Sequence, residues 1–142
     1  MNVGDIVQRP LVTIPAGRTL LEAARLMVEN NMGLLVISDS KDKTKAAGVI
    51  SERDIIRAIG SGRKLDLSVD EVCTKQVITV SASSEVAEAA KAMNRHHIRH
   101  VVVVDEQGKL VGVVSMRDLV GERATLKAIL QSNEKEVFIG GD

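Results

Sequence analysis

GVISERDII (48–56) and GVVSMRDLV (112–120) are two stretches of one 142-residue chain, and their near identity decides the fold. Glycine, valine, serine, arginine and aspartate recur at an offset of 64 residues. Upstream, VGDIVQRPLVTIPAGRTLLEAARLMVENN (3–31) aligns with VDEVCTKQVITVSASSEVAEAAKAMNRHH (69–97) at an offset of 66, because one loop of the first copy is two residues longer. A match of this length at a consistent offset indicates a tandem duplication.

The two copies share one predicted order of elements, β-α-β-β-α. Runs rich in β-branched residues at 12–14 and 77–80 predict the first strands, and apolar runs at 34–37 and 101–104 predict strands buried on both faces. The third strands are predicted at 47–50 and 110–114. Apolar residues at helical spacing predict the intervening helices: Leu20, Ala23, Ala24, Met27 and Val28 in the first copy, and Val86, Ala89, Ala90 and Met93 in the second.

The starts of the helices carry their own signals. Thr19 and Glu22 have the spacing of a capping box, in which each residue satisfies the backbone N–H of the other. Ser83 or Ser84 is the predicted N-cap of the matching helix in the second copy.

The chain is predicted to have an α/β (α+β) fold with one repeat at 1–62, a second at 63–122, and a C-terminal helix and tail at 123–142. A unit of about sixty residues buries too little apolar surface to be secure alone, so the repeats are expected to share a core. We interpret GSGRKLDLS (60–68) as a linker, since its glycines lack the pattern of a phosphate-binding loop. The apolar face of the C-terminal helix is predicted to dock on the module or on a second subunit; it comprises Leu126, Ile129 and Leu130.

Composition excludes several classes of protein. Hydrophobic residues make up 44% of the chain, yet Phe138 is the only aromatic residue, which argues against platforms that stack nucleic-acid bases on aromatic rings. Nineteen basic residues balance nineteen acidic ones, so no net field favours nucleic acid or an anionic membrane. The lone Cys73 is interpreted as a small buried hydrophobe. We expect a cytoplasmic globular protein that binds neither nucleic acid nor membrane.

A polar motif recurs where the third strand of each copy ends and the second helix begins. It comprises Gly48, Ser51, Arg53 and Asp54 in the first copy and Gly112, Ser115, Arg117 and Asp118 in the second. One interpretation is helix capping by the serine or aspartate side chains. The other is an anion or nucleotide site, in which the helix amides face a phosphate and the carboxylate accepts hydrogen bonds from ribose hydroxyls.

The repeated unit resembles the cystathionine β-synthase (CBS) domain in its hydrophobic-x-Thr-hydrophobic strand, EAA…M helix, VVVVD strand and GVVSMRD turn. Two such units over residues 3–120 resemble a tandem CBS pair. The resemblance implies a disc with a pseudo-twofold axis, two clefts between the repeats that bind adenosine nucleotides or S-adenosyl compounds, and a homodimer. It places Asp54 and Asp118 at the ribose, Ser51 and Ser115 near phosphate, and Arg99 and His100 as basic phosphate contacts.

The two copies differ at the basic position. Arg99 and His100 of the second copy align with Gly33 and Leu34 of the first, and acidic Glu52 stands where the second copy has a methionine. We therefore expect one competent nucleotide cleft, with Asp118 in it. For Arg99 a surface ion pair is the alternative. A metal site is the alternative for the three nearby histidines, His96, His97 and His100.

The lack of aromatic residues implies that an adenine ring would lie between aliphatic walls, with Ile14, Leu35, Val80 and Val101 as candidates. The favoured function is a regulatory sensor of AMP, ADP or ATP that needs no cofactor and signals within an oligomer or to an effector protein. The alternatives are a ligand-free adaptor and a sensor of S-adenosylmethionine-type ligands. An enzyme is not expected, because the sequence has no Ser/His/Asp spacing, Cys/His dyad or metal cage.

Overall fold

The structure, a computed structural model, describes residues 1–7 and 11–121. The first repeat contains β1 (Thr13–Pro15), α1 (Leu20–Asn30), β2 (Leu34–Ser38), β3 (Ala46–Ser51) and α2 (Glu52–Gly60). The second contains β4 (Thr79–Ser81), α3 (Val86–His96), β5 (His100–Val104), β6 (Leu110–Ser115) and α4 (Met116–Val120). The predicted β-α-β-β-α order is confirmed in both repeats. The predicted C-terminal helix lies outside the described residues.

Each repeat forms a three-stranded sheet with its strands in chain order. The first strand runs parallel to the middle strand, because the helix between them carries the chain back, and the third strand is antiparallel. The registers coincide as well: Thr13 pairs with Val36, and Thr79 pairs with Val102. The two sheets are therefore copies of one another in topology and in register.

In the first helix of each repeat, the residues of the predicted stripe are buried or half-buried with one exception. In α1, Leu20, Ala23 and Met27 are buried, but Val28 is 82% exposed, so its assignment to the core face was wrong. Glu22 N–H donates to Thr19 Oγ1 (3.1 Å) and Thr19 N–H donates to Glu22 Oε2 (3.3 Å). This geometry confirms the predicted capping box.

The predicted N-cap of α3 was also wrong. The cap position is Glu85, whose side chain makes no capping hydrogen bond. Ser84 belongs to the preceding turn, where its N–H donates to Ser81 O (3.0 Å). The Ser83 hydroxyl is occupied with the hydroxyl of Ser81 at 2.9 Å. Both serines thus stabilise the turn rather than the helix.

Three apolar clusters hold the described residues together. Within each repeat, a helix–sheet core forms under the first helix, with Leu20 and Leu35 in the first repeat and Met93 and Val101 in the second. The third cluster joins the two sheets through Val36, Val102, Val113, Leu34, Ala46, Val49, Val77, Val104 and Leu110. Backbone contacts extend this junction, since Leu110 N–H donates to Thr44 O (2.8 Å). The two repeats therefore share a core, as their small size predicts.

The segment at the start of each repeat packs on the other repeat. Val3 is fully buried in the core of the second repeat, and its N–H donates to Ser84 O (2.8 Å). Its counterpart Val69 is fully buried in the core of the first repeat, where its N–H donates to Arg18 O (2.7 Å). The boundary at 62/63 stays a prediction about sequence units, because each packed core includes a segment from outside its own unit.

Candidate functional site

The recurring Ser-x-x-Asp motif forms a reciprocal capping box in both repeats. In the first, Asp54 N–H donates to Ser51 Oγ (3.2 Å) and Ser51 N–H donates to Asp54 Oδ2 (2.9 Å). In the second, Asp118 N–H donates to Ser115 Oγ (3.1 Å) and Ser115 N–H donates to Asp118 Oδ2 (2.8 Å). The capping interpretation is therefore confirmed. It does not remove the binding interpretation, because a carboxylate has about four lone-pair sites and can accept a capping hydrogen bond together with others.

The sheet places each capping box beside the start of its middle strand. Antiparallel pairing sets Leu34 opposite Ser51 and His100 opposite Ser115. In the second repeat, Met116 N–H also donates to Arg99 O (2.7 Å). The structure thus brings the predicted basic pair and the predicted serine together in the second repeat.

Arg53 and Arg117 occupy matching positions in the first turns of α2 and α4, and both side chains are exposed. Since α4 is a helix of five residues, its dipole contributes little to an anion site. Positive charge at the second box must therefore come mainly from side chains, and Arg99 directly precedes His100, which pairs with Ser115 across the sheet.

The imidazole of His100 is partly buried, and its pKa depends on the charged residues around it. Burial lowers its pKa below the usual value, while the carboxylates of Asp118 and Glu52 act in the opposite direction and Arg99 lowers it further. An acid from each repeat therefore lies close enough to His100 to influence its charge. The sequence pointed to Glu52 by its charge alone and gave no signal that its side chain lies near His100.

The four aliphatic wall candidates do not lie together. Ile14 (1% exposed) and Leu35 (0%) belong to the core of the first repeat, whereas Val101 (1%) and half-buried Val80 belong to that of the second. Ligand contact with Ile14, Leu35 or Val101 would require those helix–sheet cores to open. Strand alternation instead directs the neighbouring residues, among them Val36 and Val102, to the junction between the sheets. The adenine walls stay a prediction.

The histidines diverge in the structure. His96 ends α3, His97 follows it in the left-handed region (φ 54°), and both are exposed, while His100 begins β5. Within residues 1–7 and 11–121, no group of three or more histidine, cysteine or acidic side chains could hold a metal ion. Cys73 is half-buried against the first repeat's core, and burial, with Asp70 second, raises the pKa of its thiol. A raised pKa makes the thiol a weak nucleophile.

Comparison with known proteins assigns this architecture. A family model described as the CBS domain matches residues 3–61 and again residues 69–124. The chain belongs to the CBS domain family. The recognition of a CBS pair and the mixed α/β fold of two repeats are thereby confirmed. None of the helices in the described part of this CBS pair is long and apolar enough to cross a membrane.

Several CBS proteins are similar to this chain. An uncharacterized 17.7 kDa protein of Acidianus ambivalens is 38% identical over 118 residues, which cover 83% of this chain and 70% of that protein. A solved CBS domain protein from Pyrobaculum aerophilum, complexed with AMP, is 38% identical with a TM-score of 0.84, covering 93% of this chain and 100% of that one. A CBS domain pair in complex with 5′-methylthioadenosine and S-adenosyl-L-methionine is 27% identical with a TM-score of 0.76, covering 92% and 96%. Adenosine-containing ligands are thus found in both similar structures.

Proposed function

We propose that this CBS pair is a regulatory module that binds an adenosine nucleotide of the AMP, ADP or ATP type and changes conformation or assembly on binding. The observation that carries the proposal is the similar Pyrobaculum aerophilum protein, which was solved with AMP and aligns over 93% of this chain. Signalling would follow from differential affinity, because a ligand shifts an equilibrium only by binding one arrangement better than another.

The polar groups around the second capping box support a nucleotide rather than a neutral ligand. Asp118 offers a carboxylate for the vicinal ribose hydroxyls, and Ser115, Arg99 and His100 lie beside it to receive the phosphate. Ser51 and Asp54 form the corresponding first-repeat site, which lacks the basic pair. No cofactor is needed for this mode of binding.

Isothermal titration calorimetry with AMP, ADP, ATP and S-adenosylmethionine tests the function, because the chain has no tryptophan or tyrosine to report binding by fluorescence. We expect saturable heat with at least one nucleotide and weaker binding of its 2′-deoxy analogue, because a carboxylate would lose one ribose hydroxyl. Absence of heat with every ligand would support the alternative, a structural adaptor. Turnover of a bound nucleotide would contradict a purely regulatory role.

A sensor of S-adenosylmethionine-type ligands is the second candidate function. Two observations favour it: the similar CBS pair solved with 5′-methylthioadenosine and S-adenosyl-L-methionine, and the acidic Glu52 near one site. A sulfonium group is cationic, so a nearby carboxylate would attract it where it would repel a phosphate.

We also propose that two copies of the chain pair through the outer faces of α1 and α2. Of the seven large apolar side chains that are exposed among the described residues, five lie on these helices or just after α2: Leu21, Val28, Ile56, Ile59 and Leu65. Apolar groups clustered on an outer face favour association. Signalling would then pass to the second copy or to an effector protein, in the cytoplasm.

Ile56→Lys tests the pairing. Ile56 is 67% exposed, so the lysine should leave the fold intact while placing a charge in the apolar contact. We expect a dimer of the unaltered chain and at least a tenfold weaker association of the variant by sedimentation equilibrium. Lys91→Ile, on the exposed side of α3, is the control and should not alter association. A monomeric unaltered chain, or a dimer indifferent to the lysine, would contradict this interface.

A further inference from the structure

Glu52 is the first residue of α2, and it differs in charge from Met116 at the matching position of α4. Its N–H donates to Gly33 O (2.9 Å), and its side chain folds back over the same glycine. A Cβ at position 33 would lie 3.3 Å from Cδ and 3.6 Å from Cγ of Glu52 and would collide with Oε1. The glycine therefore leaves the room that this carboxylate occupies.

This position lies at the junction between the two sheets. Leu34, which follows Gly33, packs in the same apolar cluster as Val102, and Val102 lies two residues after His100 on β5. The charge of Glu52 accordingly raises the pKa of His100 against the larger effect of burial. The acid of the first repeat thus lies beside the basic position of the second.

Helix stability explains part of this arrangement. An acidic residue in the first turn interacts favourably with the helix dipole, so a glutamate at the start of α2 needs no ligand to account for it. The dipole does not require the side chain to fold over Gly33, or to lie close enough to His100 to raise the pKa of that imidazole. In the second repeat, an uncharged Met116 stands at the position that matches Glu52, and the long side chain of Arg99 stands at the position that matches Gly33.

We propose that Glu52 selects the ligand of the first-repeat site by charge: it excludes a 5′-phosphate from the site of Asp54 and admits an adenosyl compound whose 5′ substituent is a cationic sulfonium or a neutral thioether. The proposal rests on the proposed function, because it assumes that the clefts bind adenosine compounds. A phosphate monoester is mostly dianionic near neutral pH, so a carboxylate within a few ångströms disfavours it strongly. At the site of Asp118, Arg99 supplies a positive charge that offsets the acid near His100, so that site then takes the nucleotide.

Glu52→Met tests the selection by giving the first repeat the residue that the second already has. Calorimetry near neutral pH and at low salt would compare AMP, neutral 5′-methylthioadenosine and S-adenosylmethionine. We expect the variant to bind two AMP molecules per chain where the unaltered chain binds one, and to bind S-adenosylmethionine about tenfold more weakly. Affinity for the thioether should stay within about twofold, because that ligand carries no charge at its 5′ position.

Two further variants separate the effect of the charge of Glu52 from the effects of its side-chain shape and of the net charge of the protein. Glu52→Gln keeps the size of the side chain. If charge is the cause, it should reproduce both changes expected for Glu52→Met, the second bound AMP and the weaker binding of S-adenosylmethionine. Glu106→Gln removes one acid from the exposed turn that follows β5. This turn lies at the end of the strand opposite His100, and a five-residue strand is about 16 Å long, so the change should alter the affinity for neither AMP nor S-adenosylmethionine. The imidazole signals of His100, assigned with His100→Gln, should titrate at lower pH in Glu52→Gln than in the unaltered chain.

The outcomes distinguish this inference from the proposed function. AMP and S-adenosylmethionine binding that is unaltered in both Glu52 variants would overturn charge selection and leave nucleotide sensing standing. Sulfonium binding that weakens in the variants, with no AMP binding by any chain, would overturn the nucleotide sensor and the exclusion of phosphate, and keep only the attraction of a cationic ligand by Glu52. Failure of every adenosyl compound to bind would overturn both. An unchanged His100 titration would overturn the placement of the carboxylate.

Discussion

Replacing Val3 by aspartate is expected to destabilise the second repeat, although Val3 lies at the start of the first. Its side chain is fully buried among Val101, Val103 and Met93, and its backbone is hydrogen-bonded to Ser84. A buried carboxylate without a partner is among the few changes that cost a small domain more than about 3 kcal/mol. Val69→Asp should have the mirrored effect, because Val69 is buried in the core of the first repeat.

Urea denaturation gives the size of the Val3 effect, and hydrogen exchange read by mass spectrometry gives its location. In Val3→Asp the amides of β5 and β6 should lose protection first; in Val69→Asp those of β2 and β3 should. Ala87→Asp is the control, because Ala87 is exposed in the first turn of α3, away from the proposed contact between copies, and an aspartate there should change stability by at most about 1 kcal/mol, chiefly through the helix dipole. Loss of protection confined to the first repeat in Val3→Asp would contradict the crossed packing.

The features that could be predicted from the sequence are those encoded within a few residues of each other. The capping box of Thr19 and Glu22 depends on a spacing of three residues, and the strands on continuous β-branched runs. The duplication strengthened every such prediction, because each pattern occurs twice. The repetition also identified the Ser-x-x-Asp boxes. Both interpretations of that motif, helix capping and ligand binding, concern atoms of one turn.

The features that could not be predicted depend on which surface a residue meets. An apolar Val3 does not reveal which repeat it packs on, and helical spacing cannot distinguish Val28, at the edge of the stripe, from a core residue. The side chain of Glu52 is a similar case, since its position depends on the absence of a side chain at Gly33 and on a strand of the other repeat. Local sequence patterns predict the helices and strands, whereas the contacts between repeats depend on how the two sheets pack together.

Asp118→Asn is expected to weaken AMP binding tenfold to about a hundredfold, and Asp54→Asn to weaken it much less. Hydrogen bonds to a charged group contribute roughly 1.5–3 kcal/mol, which corresponds to that range, and the basic pair of Arg99 and His100 lies beside the second box. Asparagine is the informative replacement because its amide oxygen can still accept the Ser115 N–H, which Asp118 Oδ2 now accepts at 2.8 Å. Stability should therefore change by less than about 1 kcal/mol in both variants.

A double-mutant cycle with the ligand identifies what Asp118 contacts. If its carboxylate holds the ribose, removing the 2′-hydroxyl from AMP should weaken binding to the unaltered chain but add little to the loss already present in Asp118→Asn, because both changes remove the same hydrogen bond. Strictly additive losses would place the carboxylate away from the ribose. Equal losses in Asp54→Asn and Asp118→Asn would instead show that the basic pair does not distinguish the two sites, and that the repeats bind AMP as equivalent copies.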